Sequence, residues 1–477
     1  MNLRENKHFT TAVLHLYNTL SRSKEAFQPL TPGKVGLYVC GPTVYDFFHV
    51  GNARTFSVFD LVVRWLRATG YEVKYVQNIT DVDDKIIKRA NESGEDIGTL
   101  TERLVEAFVH DSARLGLLRP DAQPRATRYI GPMLDLIERL EGKKLAYRGS
   151  NGDVFYSVRD FAEYGKLSRR NLDDLRAGER VAVEEAKKDP LDFVLWKAAK
   201  PAEPSWPSAY GPGRPGWHIE CSAMAMKYLG DTLDIHTGGV DLTFPHHENE
   251  IAQAEGISGK QFVRFWLHAE HLSIDAQKMS KSLGNFYTLR DLLKQGFAPE
   301  AIRYLLASVP YRKKLNFTFE GLQAAAHSID RLRNYELRLK TDKFAEGSNP
   351  AMEERTHKAI AAFEEALDDD LNTAEALGAV FEYIRDTNTA MDAGDFLAGN
   401  AAGALAFLAR FDAVFDVLKP SAKEGGLSDE EVETLIAERT SAKKARNFSR
   451  ADEIRAELSA KGIVIEDTKE GVRWKRA

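Results

Sequence analysis

The sequence has few cysteines and no long apolar stretch. Cys40 and Cys221 are the only two among 477 residues, which excludes a disulfide framework and indicates a reducing compartment. No apolar run approaches the roughly 18 residues that a membrane span requires. Residues 1–27 also lack the continuous apolar core of a signal peptide. We therefore expect a cytoplasmic protein that is not embedded in a membrane, and nothing in the sequence demands more than a monomer.

The composition is that of a globular protein with an uneven charge. Hydrophobic residues make up 43% of the chain and charged residues 29%, and the length suggests roughly two to four domains. The net charge is −6, but residues 439–477 hold eleven Lys and Arg against six Asp and Glu, so this tail carries +5 and the rest −11. A basic tail favours an anionic partner, although a solvated helical surface would have the same composition.

The first half of the chain has the pattern of a parallel α/β domain. Residues 34–40 predict a buried strand, 52–68 an amphipathic helix that ends before Gly70, and 71–79 a second strand. Short connections between them indicate a βαβ unit in a Rossmann-like parallel sheet. We therefore expect an α/β fold.

This pattern is interrupted and then resumes. A Gly- and Pro-rich region with helical stretches such as 133–140 predicts an insertion, after which 232–237 indicates a strand and 245–255 a helix. Beyond Leu289 amphipathic helices follow, and the end predicts two helices and a hairpin over 463–474, a small α+β domain. The predicted division is 1–117 and 216–288 for the two halves of the sheet domain, 118–215 for the insertion, 289–420 for a helical bundle and 427–477 for the C-terminal domain.

Two motifs suggest phosphate binding. His49, Gly51 and Asn52 lie where the loop after the first strand meets the helix, and a helix N-terminus offers free N–H groups to an anion. Such short matches are common by chance. The stretch from Lys278 to Asn285 is more specific, because two lysines flank small hydroxyl residues in a loop that could fold over a triphosphate. An exposed basic loop is the alternative, but both motifs in this order, 229 residues apart, argue against it.

Four separated residues could hold a metal ion. Cys40 ends the first strand, Cys221 lies in the resumed α/β region, and His246 and Glu250 are four apart on one face of a predicted helix. Two thiolates, an imidazole and a carboxylate are suitable zinc ligands. The spacing is not that of a zinc finger, and from the residues alone His247 could replace His246.

These motifs resemble those of the class I aminoacyl-tRNA synthetases. The Lys-Met-Ser-Lys-Ser loop at 278–282 matches completely, whereas in the His-Ile-Gly-His element Val50 is a conservative change and Asn52 replaces the second histidine. Segments 38–55, 78–90 and 215–253 resemble the cysteinyl-tRNA synthetase family, and the similarity extends over nearly the whole chain. An amide at position 52 can donate a hydrogen bond but cannot carry charge.

The resemblance implies a ligase that activates L-cysteine with ATP and Mg²⁺ and transfers it to tRNA(Cys). It implies one zinc ion per chain on Cys40, Cys221, His246 and Glu250, and so favours His246 over His247. The implied catalytic residues are His49, Asn52, Lys278 and Lys281, with Gly51 and Ser280 as further ATP-binding residues. The implied cysteine pocket consists of Gly41, Thr80, Trp217, His236 and Asp241, of which Thr80, Trp217 and His236 would equally suit structural roles.

Zinc would explain how cysteine is selected. Cysteine and serine differ by one atom, and zinc binds a thiolate strongly but a hydroxyl poorly, so no editing domain would be required. By resemblance the helical region contacts the acceptor arm, and the tail from about Leu427 reads the anticodon, where Trp474 could stack on a base or pack in a core. The alternatives are a ligase that joins cysteine to an amino sugar and a non-catalytic RNA-binding protein.

Overall fold

The computed structural model describes residues 13–170, 186–201, 203–420, 429–468 and 471–476, which belong to two compact units divided between Asp416 and Val417. The first unit begins with β1 (His15–Asn18), β2 (Ser23–Ala26), β3 (Lys34–Val39), α1 (Val50–Ala68), β4 (Glu72–Gln77), α2 (Asp84–Ser93), α3 (Ile97–Arg114) and α4 (Ile130–Gly142). It continues with β5 (Ala146–Arg148), β6 (Val154–Tyr156), β7 (Phe193–Ala198), β8 (Gly213–Pro215), α5 (Trp217–Leu229), β9 (Leu233–Gly239), α6 (Glu248–Ser258) and β10 (Val263–Ala269). It ends with β11 (Leu272–Ile274), β12 (Gln277–Lys278), α7 (Leu289–Lys294), α8 (Pro299–Ala307), β13 (Leu315–Phe317), α9 (Phe319–Thr341), α10 (Pro350–Asp368), α11 (Thr373–Ala393) and α12 (Ala401–Phe415).

A four-stranded parallel sheet forms the centre of the first unit. The strand order is β10-β9-β3-β4, and every pairing is parallel. α1 connects β3 to β4, and α6 connects β9 to β10. β3 and β9 are therefore neighbours, and the chain continues from β3 to one edge of the sheet and from β9 to the other. In open α/β sheets, the carboxyl ends of two such strands border the ligand crevice. The predicted Rossmann-like fold is confirmed.

The predicted insertion contains a second sheet that the sequence did not reveal. β5, β6, β7 and β8 form an antiparallel sheet in that order. Three of these strands have only three residues, too few to show an alternating pattern. The buried Tyr156 of this sheet contacts the parallel domain, where its hydroxyl donates a hydrogen bond to the Ala252 carbonyl at 2.7 Å. The insertion therefore packs against α6.

The region beyond Leu289 is helical as predicted, apart from β13, which pairs in parallel with β11. A buried ionic network joins this region to α1. The Asp60 carboxylate accepts hydrogen bonds from Arg303 at 2.5 Å, from Arg64 at 2.7 Å and from the Leu118 N–H at 2.7 Å. Because a buried charge is tolerated only when it is paired, this network keeps α8 against α1.

The second unit has the predicted two helices and hairpin: α13 (Asp429–Lys444), α14 (Phe448–Ala460), β14 (Ile463–Thr468) and β15 (Gly471–Arg476). Its core is small and consists of Val432, Ile454, Leu458, Ile463 and Ile465. The buried Arg439 forms two hydrogen bonds of 2.8 Å with the Asp467 carboxylate. Among the described residues of the whole chain, no helix is both long enough and apolar enough to cross a bilayer.

Candidate functional site

A cleft of about 1050 Å³ opens at the carboxyl ends of the parallel strands. Cys40 follows β3, and its N–H donates to the Thr237 carbonyl in β9 at 3.1 Å, so residues distant in sequence meet at one edge. Of the predicted site residues, the cleft is lined by Cys40, Gly41, His49, Gly51, Asn52, Trp217, Asp241 and Lys278. The others lie outside its lining: Thr80, Cys221, His236, His246, Glu250, Ser280 and Lys281.

The four predicted metal ligands converge beside this cleft. The potential ligand atoms of Cys40, Cys221, His246 and Glu250 all lie within 4.8 Å of one another, and all four residues are buried. The Cys40 and Cys221 sulfurs are 3.8 Å apart, and His246 Nε2 lies 3.1 Å from Glu250 Oε1. α6 begins at Glu248, three residues later than expected, because the preceding segment Thr243–His247 is kinked, with an extended backbone at Phe244. The spacing of four still places His246 beside Glu250.

A second set of donors overlaps the first. Cys40, His236, His247 and Glu250 also bring their ligand atoms within 4.8 Å of one another. His247 Nε2 lies 3.3 Å from the Cys40 sulfur, and His236 Nε2 lies 2.9 Å from Glu250 Oε2. Distance alone therefore leaves His247 open as a ligand. It also places His236, which was expected in the cysteine pocket, against the Glu250 carboxylate.

The ionisation of the cluster residues distinguishes between the two sets of possible metal ligands. A hydrogen bond from the Cys40 thiol lowers the pKa of Cys221 to about 6, although burial opposes this, whereas burial raises the pKa of Cys40. Burial disfavours a charged His246, but the negative Cys221 and Glu250 raise its pKa to about 10. Glu250 is likewise held ionised against burial by His236 and His246, with a pKa of about 2.

These pKa shifts favour the thiolate form of Cys221 and the carboxylate form of Glu250, both of which are buried. A divalent cation could replace the protons that now balance these charges. The set with both cysteines uses the Cys221 thiolate, whereas the other set would leave it buried beside the ion without coordinating it. The donor chemistry fits zinc, which prefers thiolate and imidazole ligands.

Several neighbours that the sequence analysis missed orient these ligands. His218 Nδ1 lies 2.9 Å from His246 Nδ1, and His268 Nε2 lies 2.8 Å from His247 Nδ1. Trp217, a predicted residue of the cysteine pocket, lines the cleft and stacks its ring on the His246 ring with 4.2 Å between centroids. Partners of this kind fix ring orientation at metal sites. Nothing in the spacing of His218 or His268 could have identified them.

His49 has a local structural role that the sequence did not predict. Its Nδ1 accepts hydrogen bonds from the N–H groups of Gly51 at 3.1 Å and Asn52 at 3.2 Å, which caps α1. Two N–H groups expected to face a phosphate are therefore already bonded. Burial lowers the pKa of His49 to about 4, so near neutral pH the ring is uncharged and its remaining donor is Nε2–H. A Cβ on Gly51 would lie 3.0 Å from this ring, so glycine also makes room for the cap.

The loop with the two lysines is held by a tight turn. Asp275 and Ala276, both with positive φ, connect β11 to β12, and the Ala276 N–H donates to Asn316 Oδ1 at 2.6 Å. Lys278 faces the cleft. The Ser280 hydroxyl caps the next short turn by accepting from the Ser282 N–H at 3.3 Å, so it serves the shape of the loop.

The remaining predicted pocket residues fall into two groups. Asp241 lines the cleft, whereas the buried Thr80 donates to Glu220 Oε2 at 2.8 Å and does not line it. Gly41 has a steric requirement, since a Cβ there would lie 1.6 Å from the Asn78 carbonyl oxygen. The cleft is also lined by residues that no sequence motif indicated: Tyr45, Lys85, Glu270, His271 and Lys314.

Models of three protein families match segments that together cover most of the chain. Residues 26–327 match the family described as tRNA synthetases class I (C) catalytic domain, and residues 362–419 match the DALR domain. Residues 426–474 match the cysteinyl-tRNA ligase anticodon binding domain.

Two curated relatives named cysteine–tRNA ligase are similar along their full length. The protein of Solibacter usitatus (strain Ellin6076) is 57% identical over 464 residues, which cover 97% of this chain and 99% of the relative. The protein of Methylobacillus flagellatus is 52% identical over 466 residues, which cover 98% of this chain and 100% of the relative.

Two solved structures share the fold at low identity. A LeuRS from Agrobacterium radiobacter K84, in a ternary complex with tRNA and LeuAMS, has a TM-score of 0.61 at 12% identity and covers 82% of this chain and 85% of its own. A Mycobacterium tuberculosis methionyl-tRNA synthetase in complex with methionyl-adenylate has a TM-score of 0.58 at 14% identity and covers 81% and 89%. At these identities the likeness concerns the fold alone.

The His49 cap predicts a specific pH dependence. The unfolded chain protonates histidine below its ordinary pKa of 6.5, whereas folded His49 does so below about 4, so between these values the unfolded state binds more protons. The stability that neutral His49 contributes should therefore fall as the pH falls from 6.5 to 4. His49→Asn retains a capping oxygen but cannot titrate, so the wild type should lose roughly 1–3 kcal/mol relative to it across this window. Calorimetric unfolding at several pH values measures this.

Two controls accompany the measurement. His49→Ala lacks the cap and should be destabilised by about 1 kcal/mol even at neutral pH. Between pH 7 and 8 the difference between wild type and His49→Asn should stay constant. Parallel stability curves for these two proteins down to pH 4 would contradict the neutral, capping His49.

Proposed function

The chain belongs to the cysteine–tRNA ligase family, and we propose that its cleft performs both steps by which tRNA(Cys) is charged with cysteine. Charging of tRNA in translation is the function of this family, whose members use ATP. The observation that carries the proposal is the buried cluster of Cys40, Cys221, His246 and Glu250 beside a cleft that His49 and Lys278 also line. We further propose that the protein acts as a monomer in the cytoplasm.

Cysteine selection is assigned to the cluster. Cys40, Cys221, His246 and Glu250 would hold one zinc ion, which when bound would supply a Lewis acid that binds a cysteine thiolate strongly and a serine hydroxyl poorly. Cys40 is both a member of the cluster and part of the cleft lining, so a substrate in the cleft can approach the site. Asp241 also lines the cleft and offers a carboxylate for the substrate ammonium group.

The ATP site is assigned to the two motifs. A cysteine carboxylate oxygen attacks the α-phosphorus, the bond to the oxygen that bridges the α- and β-phosphates breaks, and pyrophosphate leaves; Mg²⁺ bound with ATP would offset the phosphate charge. His49 donates from Nε2 to phosphate oxygen, and Asn52, on the first turn of α1, adds an amide donor. Lys278 and Lys281 supply the positive charge that stabilises the pentavalent phosphate. A terminal ribose hydroxyl of the RNA then attacks the carbonyl carbon and releases AMP.

RNA recognition is assigned to the second unit and its basic residues. The match of residues 426–474 to an anticodon binding domain supports tRNA over an amino sugar as the acceptor. Trp474 packs partly against the core of this unit and donates to Glu433 at 3.3 Å, which suits the core role. Phe448 is 61% exposed and is a better candidate for stacking on an unpaired base.

Charging of total tRNA by the purified protein tests the function directly. With ATP and Mg²⁺, labelled cysteine is expected in the tRNA fraction and labelled serine is not. If cysteine-dependent pyrophosphate exchange occurs without charging, the amino-sugar reading is favoured instead. If neither reaction occurs, the protein is a non-catalytic member of the family.

The metal site can be tested with two matched variants. Cys221→Ala should reduce the zinc content from one ion per chain to near zero and abolish cysteine-dependent pyrophosphate exchange. His247→Asn should still bind one zinc ion, with an affinity lowered by no more than the roughly 10–100-fold typical of residues that support a ligand. Zinc measured by atomic absorption in folded proteins decides between them. Loss of zinc from His247→Asn with retention in Cys221→Ala would assign the site to the second donor set.

Truncation separates activation from RNA binding. A chain ending at Pro420 should retain pyrophosphate exchange within about twofold, because the cleft belongs to the first unit. Its kcat/KM for tRNA should fall on the order of a hundredfold, as expected when several phosphate contacts are lost. Equal loss of both activities would show that the second unit is needed for the catalytic fold.

A further inference from the structure

Lys281 is bound to a carboxylate that has no assigned role. Its Nζ donates to Asp46 Oδ2 at 2.5 Å and lies 5.0 Å from the centre of the Phe286 ring. The other Asp46 oxygen accepts from the Phe47 N–H at 2.9 Å, which orients the carboxylate. The Lys281 side chain is 62% exposed and that of Asp46 is 21% exposed, so the lysine reaches across the surface to a more enclosed partner.

This contact keeps Lys281 away from the cleft. Lys278, three residues earlier in the same loop, lines the cleft, whereas Lys281 and Asp46 do not. Asp46 instead borders a small adjoining cavity, together with His49 and Phe286. A lysine that serves a phosphate in the cleft must therefore leave Asp46 first.

The carboxylate is suited to hold a cation reversibly. Partial burial disfavours its ionisation, but hydrogen bonds from Lys281 and the Phe47 N–H lower the pKa of Asp46, which is therefore charged at neutral pH. The positive charge of Arg89 also lowers the pKa of Asp46, but less strongly. It therefore still stabilises the Asp46 carboxylate when Lys281 moves away. Because Lys281 is largely exposed to solvent, its Coulomb attraction to Asp46 is screened, and the several negative charges of a triphosphate would outcompete it.

We propose that Asp46 is a positioning residue that holds Lys281 beside the cleft until ATP binds and the triphosphate draws the ammonium group away. The inference rests on the proposed function, in which Lys281 contacts ATP. Because Asp46 and the triphosphate compete for one lysine, the contact weakens ATP binding and prevents the loop from adopting other arrangements before the nucleotide arrives.

A double-mutant cycle on ATP affinity tests this competition. Asp46→Asn retains the acceptor for the Phe47 N–H but loses the charge, so the KM for ATP in cysteine-dependent pyrophosphate exchange should fall about two- to fivefold. In a Lys281→Ala background the same substitution should change the KM by less than about 1.5-fold, since no lysine is left to release. Asp231→Asn, which breaks an exposed 3.0 Å pair with Lys260 away from the cleft, controls for the charge change.

The outcomes are distinguishable. An equal fall in KM in both backgrounds would overturn the inference, because Asp46 would then act on ATP through its charge alone. A rise in KM that requires Lys281 would also overturn it, because Asp46 would then help to deliver the lysine. If Lys281→Ala itself leaves pyrophosphate exchange unchanged, the proposed role of Lys281 in the ATP site has failed.

The contact can also be tested without activity. Trypsin cleaves the bond between Lys281 and Ser282 only when its specificity pocket binds the Lys281 side chain. A contact with Asp46 should therefore slow cleavage at this bond. In ATP-free protein, Asp46→Asn should raise the cleavage rate after Lys281 at least about twofold over Asp231→Asn, with less effect after Lys278. Equal rates in the two variants would overturn the inference whatever the kinetic result.

Discussion

The parallel pairing of β3 with β9 is the constraint on which the candidate site depends. Its register places Tyr38 beside His236 and Val39 beside Thr237, and it ends where the Cys40 N–H meets the Thr237 carbonyl. A shift of one residue would turn Cys40 to the opposite face of the sheet, away from Glu250. The pairing of these two strands, which are distant in the chain, therefore fixes the relative positions of the buried donors, the cleft and the start of α1.

Local sequence signals predicted the parts of the fold that local chemistry decides. The βαβ unit follows from its hydrophobic pattern, and α1 ends at Ala68, before Gly70, as that pattern predicted. The residues themselves suggested that Cys40, Cys221, Glu250 and one of two histidines converge, and the family resemblance favoured His246. The antiparallel sheet of the insertion was missed because its short strands become stable only when paired. His218 and His268 were missed because their roles depend on which rings lie beside them.

His49 shows why a motif predicts a location better than a role. The sequence indicates a histidine, a glycine and a helix N-terminus, and an anion is one partner for such N–H groups. In the folded chain the N–H groups of Gly51 and Asn52 donate instead to the adjacent His49 ring. Burial then keeps the ring neutral, which decides which nitrogen remains a donor. None of these steps follows from the order of residues alone.

The loop between β3 and α1 links the two proposed subsites mechanically. It begins at Cys40, which belongs to the candidate metal-binding cluster, and ends at His49, which caps the helix proposed to bind ATP. Gly41 lies so close to Asn78, the residue that follows β4, that any Cβ at position 41 would overlap the Asn78 carbonyl. A displacement there would move Cys40 away from Glu250 and would also move Asp46 and His49. In the proposed function, selection of the amino acid and placement of the nucleotide therefore depend on the same few residues of backbone.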